Sequence, residues 1–102
     1  MGSPRQRPAR LAEKLLQIRI SLGLSQTQML RHLAMEEQLH YGRISEYESG
    51  KREPTLMTLL AYARAAGVHM EHLVDDELDL PAKLPGHVTH LGLKRKSTSR
   101  KR

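Results

Sequence analysis

Apolar residues recur at helical spacing in successive stretches of this chain, and glycine or proline separates the stretches. Leu11, Leu15, Ile18 and Leu22 stand three or four apart, which predicts a first helix with one apolar face. Pro8 is placed to open it, because a missing N–H is tolerated in a first turn. Met29, Leu30 and Leu33 predict a second helix over about residues 26–33. Ser25 stands at its N-cap position with Gln28 three residues on, a capping-box spacing. Ile44, Tyr47 and Glu48 mark a third helix over about residues 41–49, closed by Ser49 and Gly50. Leu56, Leu59, Leu60 and Ala63 give a fourth helix over about residues 56–66 its inward face, with Thr55 as cap. A short fifth helix is expected over about residues 70–74. Gly23 and Gly67 stand where helix stops belong, and Pro81 and Pro85 end the helical pattern.

Composition narrows the fold class to all-α. The 102 residues allow one domain. There is no Phe or Trp and there are three Tyr, so Leu, Ile, Met and Ala must build the core. With β-branched and aromatic residues scarce, packed helices are favoured over a sheet. The absence of cysteine excludes a disulfide framework and thiol chemistry, and it weakens any zinc reading. No apolar run approaches a membrane span, so a cytoplasmic protein is expected.

The net charge of +6 is unevenly laid out. Residues 1–10 carry Arg5, Arg7 and Arg10 and no acid. Residues 81–102 carry Lys83, Lys94, Arg95, Lys96, Arg100, Lys101 and Arg102 and no acid. The span between them is mildly acidic. The expected organisation is a basic N-terminal arm at 1–7, a helical domain at 8–80, and a Pro-interrupted, basic, disordered tail at 81–102. Basic arms of this kind suit a polyanion, and they also occur as solubilising tails.

The order of signals from Gly23 to Pro54 resembles the helix-turn-helix of the Xre/Cro family of phage and bacterial repressors. Arg19, Gly23, Leu24, Ser25, Gln26, Ile44, Ser45, Glu48, Ser49, Gly50, Arg52 and Pro54 carry the resemblance. It implies a five-helix repressor-like domain that binds double-stranded DNA sequence-specifically and regulates transcription, most simply as a repressor. In one respect the chain departs from the pattern. The link between the second and third helices, residues 34–39, is longer than the family's tight turn, with Leu39 taking the apolar turn position.

The resemblance also implies a site. A helix in the major groove reads bases from its exposed N-terminal face. The family's reading positions fall on Tyr41, Gly42 and Glu46. Tyr41 can meet a thymine methyl or a phosphate, and Gly42 can only permit close approach. Glu46 either accepts from cytosine N4 or is a solvated helix residue. Gln26 is placed on a phosphate, or else is an ordinary first-turn residue. Arg43, Lys51 and Arg52 are phosphate contacts or solvated loop charges, with Gln28 and Arg31 as weaker candidates. Arg19 and Glu48 form the family's structural ion pair, from which Arg19 can also reach a phosphate.

Other chemistry is not expected. His69 with His72, and His87 with His90, have a metal-compatible spacing but no accompanying cysteine, so no metal site or cofactor is expected. Nothing resembles a nucleophile elbow or a phosphate-cradling loop, and an enzyme is not expected. The partner implied is double-stranded DNA, bound by a homodimer on a two-fold site and on the nucleoid when engaged. The alternative is an antitoxin or other interaction module of a toxin–antitoxin pair. In that reading the acidic end at residues 71–79 and the basic tail would dock a protein partner.

Overall fold

The computed structural model describes residues 7–84. Arg5, His87, His90 and the basic cluster at 94–102 lie outside the described residues. Among the described residues the fold is all-α, with helices α1 (Leu11–Leu22), α2 (Gln26–His32), α3 (Arg43–Glu48), α4 (Leu56–Ala66) and α5 (Met70–Val74). None of these helices is long and apolar enough to cross a membrane.

Capping chemistry sets the helix ends. Ser25 Oγ accepts the Gln28 amide at 3.0 Å, and Gln28 Oε1 accepts the Ser25 amide at 2.8 Å, which completes the box at the start of α2. Thr55 Oγ1 accepts the Thr58 amide at the start of α4. At the other ends, α1, α3 and α4 each stop on a glycine at positive φ: Gly23, Gly50 and Gly67. At α2 the same position is filled by Ala34, at φ 58. Its amide reaches Arg31 O at 2.9 Å and the Met35 amide reaches Leu30 O at 3.3 Å, the paired bonds of a Schellman stop.

The core lies where α1 packs on α3, α4 and α5, and where α2 packs on α3. Leu15, Ile18, Met29, Ile44, Tyr62, Ala66 and Leu73 are fully buried there. Two sequence expectations are corrected. Leu56 does not face inward; it is 72% exposed, with Met57 beside it. The inward stripe of α4 runs instead through Thr58, Leu59, Tyr62, Ala63 and Ala66. Tyr62 draws the stripe round the helix and leaves Leu56 roughly a quarter turn away from its centre. Pro8 does not open α1. The two amides that follow it, Ala9 and Arg10, bond to the Asp76 carboxylate at 2.9 and 3.0 Å, and the helix begins at Leu11. Leu80 is buried in the core, and so is Leu84, four residues further on.

Asp76 is one part of a clamp between the chain before α1 and the turn after α5. Arg10 Nη1 donates to Asp76 O at 2.9 Å and Arg10 Nη2 to Asp79 Oδ1 at 2.7 Å. Lys14, buried in α1, donates from Nζ to His72 O at 2.8 Å and to Asp75 O at 2.9 Å. Desolvation holds its ammonium below the ordinary lysine range. The cation nevertheless answers carbonyls at the end of α5, which suits the negative pole of a helix.

Candidate nucleic-acid interface

Three elements meet at the Glu48 carboxylate, on the last residue of α3. Arg19 Nε, from α1, donates to Oε2 at 2.6 Å, and Arg19 Nη2 donates to Oε1 at 3.0 Å. Gln26 Nε2, from the first residue of α2, donates to the same Oε1 at 3.0 Å. Arg19 Nη1 donates to Leu24 O at 2.9 Å, which ties in the α1–α2 turn. The two charged side chains keep only 14% and 6% exposure. The forked guanidinium thus spans a carboxylate and a backbone carbonyl at once. Its bond to Glu48 raises the Arg19 pKa further above its usual value. Tyr62 is buried close by. Its hydroxyl has no hydrogen-bond partner among the described residues, and burial pushes the phenol well above the ordinary tyrosine range.

A second carboxylate, one α-helical half-turn earlier on α3 at Glu46, organises the turn that follows the helix. Arg52 Nε donates to Glu46 Oε1 at 3.1 Å. Arg43 Nε lies 3.1 Å from the same oxygen without hydrogen-bond geometry. The Glu46 carbonyl accepts the Lys51 and Arg52 amides at 2.9 and 3.2 Å and the Ser49 hydroxyl at 3.2 Å. The turn that carries Lys51 and Arg52 is therefore fixed to α3 by main-chain bonds. Both of these basic residues are exposed.

Tyr41 and Gly42 precede α3 and are not part of it, so the third helix is shorter than the sequence spacing predicts. The reason is local. His40 Nδ1 accepts the Gly42 amide at 3.1 Å, and His40 O accepts the Arg43 amide at 3.0 Å. These bonds close a turn ahead of the helix. Tyr41 is 75% exposed, and its ring stacks on His40 with centroids 5.3 Å apart and planes 12° from parallel.

Most of the sequence-derived site residues therefore fall into three groups. Arg19, Gln26 and Glu48 are brought together. Arg43, Glu46 and Arg52 are brought together. Tyr41 and Gly42 share a turn with His40, a residue that sequence reasoning did not single out. No periodic signal marks His40, and its one clue is its position beside Tyr41. Lys51 stands exposed beyond α3. The expected apolar turn residue Leu39 is half-buried against the core, as is Met35. The acidic segment after α5 does not stand free, because Asp76 and Asp79 are engaged with the chain before α1.

A family model described as helix-turn-helix matches residues 15–73, from the middle of α1 to α5. The chain belongs to the Xre/Cro-like helix-turn-helix family. Comparison with curated proteins and with solved structures gives no match. As a member of this helix-turn-helix family, the protein is a DNA-binding transcription regulator. In helix-turn-helix terms α2 is the supporting helix and α3 the second helix of the motif. The Glu48 cluster is the joint that fixes one against the other.

Proposed function

We propose that the protein is a sequence-specific repressor that reads double-stranded DNA in the major groove with α3 and the turn ahead of it. Tyr41 and Glu46 supply base discrimination. Gly42 leaves the approach clear. Gln26, Arg43, Lys51 and Arg52 hold phosphates, and two copies of the chain bind a two-fold site. The observation that carries this reading is the Glu48 cluster. One carboxylate gathers Arg19 and Gln26, so α1, the start of α2 and the end of α3 cannot move independently. A reading helix needs that rigidity, because each base-edge hydrogen bond tolerates only a few tenths of an ångström.

Arg19 has three nitrogens engaged within the protein, so its contribution to DNA binding is the placement of α3. Glu46 comes to the groove partly neutralised by Arg43 and Arg52. That lessens the repulsion a bare carboxylate would feel from phosphates. Polyanion contact by the basic arms adds a sequence-independent contribution.

The test is selection of bound duplexes from a random library, followed by a salt series on the enriched site. One motif with two-fold symmetry should be enriched. The affinity for it should fall with salt at about −0.9 in log K per neutralised phosphate. Recovery of a folded protein with no sequence enriched over the input would overturn the reading.

A further inference from the structure

We propose that His40 is a DNA-contacting residue and forms a stacked reading pair with Tyr41. The inference rests on the DNA-reading role given to the turn ahead of α3 and adds a residue to it. His40 occupies a position with no core function: it is exposed, and so is the tyrosine it stacks on. Yet it is not loosely held. Nδ1 accepts the Gly42 amide at 3.1 Å, which in the neutral ring leaves the proton on Nε2. The ring is therefore fixed in one tautomer, with its donor nitrogen on the side away from the backbone. The stack with Tyr41, 5.3 Å between centroids and 12° between planes, orients the two rings together.

The glycine that follows is part of the same arrangement. A Cβ at Gly42 would come within 3.1 Å of His40 Cε1 and within 3.4 Å of Nδ1. Gly42 has φ −76 and ψ −7, values open to any residue, so its backbone does not require glycine. A side chain there would instead crowd the imidazole, and the ring would have to give by a few tenths of an ångström. Two exposed aromatic rings, one cleared space and one committed acceptor nitrogen leave Nε2–H and the Tyr41 hydroxyl as outward polar groups. An N–H donor of this kind suits a phosphate oxygen, or the N7 or O6 acceptor of guanine on a major-groove edge.

The test uses the full chain, the duplex selected from the random library and its single-base variants, with His40→Asn, His40→Gln and His40→Ala. Asn keeps an acceptor near the Nδ1 position, and Gln keeps a donor near the Nε2 position. His40→Asn should melt like the wild type yet bind about tenfold more weakly, the loss that fits one hydrogen bond to DNA. His40→Gln should recover part of that affinity. A loss confined to one base pair assigns a base edge, and an equal loss on every variant assigns a phosphate. Wild-type affinity in His40→Asn would overturn the proposal and leave His40 a cap for Gly42. Failure to select any duplex with the wild-type chain would instead strike the DNA-reading role itself.

Discussion

Arg19 and Glu48, on different helices, are joined by two hydrogen bonds of 2.6 and 3.0 Å while both side chains are almost fully withdrawn from water. The pair is bound to its surroundings at both ends, through Leu24 O and through Gln26. Removing one partner leaves the other charge buried without its complement, which costs more than the net worth of the pair.

Glu48→Ala is therefore expected to destabilise the fold by roughly 1–3 kcal/mol. For a domain of this size that lowers the melting temperature by several degrees per kcal/mol. Thermal unfolding followed by circular dichroism checks it. An unchanged midpoint would mean that Arg19 and Gln26 find equivalent partners without Glu48.

Ala34→Gly is expected to raise stability. The left-handed conformation costs an L-residue about 1–2 kcal/mol, and glycine's extra freedom in the unfolded chain returns about 0.4–1 kcal/mol of that. A net gain of roughly 0.5–1 kcal/mol should appear in denaturant melts with an unchanged slope. A loss of stability would contradict the positive φ at this position.

Acid should loosen the clamp before α1. Backbone amides of Ala9 and Arg10 hold the Asp76 carboxyl below its ordinary pKa of 3.8. A depressed folded pKa contributes stability above the unfolded value and loses it as pH falls through the folded one. Stability should thus be level above about pH 5 and decline below 3.8. Asp76→Asn should be less stable at neutral pH and show a shallower acid decline. Parallel pH profiles for the two proteins would remove Asp76 from the account.

Glu46→Ala frees Arg43 and Arg52 from their shared carboxylate. Non-specific duplex binding should hold or tighten, and discrimination at one base pair should relax by about 1–3 kcal/mol. Lys51→Ala should weaken all sequences by a similar factor. Competition binding on a selected duplex and its single-base variants separates the two. A uniform loss in Glu46→Ala would show that the carboxylate supports the fold of the turn and reads nothing.

Features written in local spacing were legible from the chain alone. Ser25 with Gln28, Thr55, Gly23 and Gly67 announced the helix ends at which they stand. The order Gly23 to Pro54 pointed to the family that the chain belongs to. What depends on distant partners was not legible. Nothing near Lys14 announces that its ammonium will be buried against carbonyls some sixty residues on. Nothing in the run Asp75–Asp76 shows that one carboxylate will cap the chain before α1. Leu56 was misplaced because a stripe of leucines fits a helix face as well as the stripe through Tyr62 does. His40 was missed because its role rests on a neighbour's backbone amide and on a ring stack, and neither has a period.

The Ala34 stop has a consequence for how this chain can vary. α2 satisfies its last carbonyls through the Ala34 and Met35 amides, before residue 36 begins. α3 opens from its own turn at His40 and Gly42. The residues between carry no part of either helix's register. Codons gained or lost there alter the span of the connection while both helices keep their ends. The exposed residues 36–38 are thus where the gene can change length at least cost to the fold, provided Leu39 keeps its place against the core.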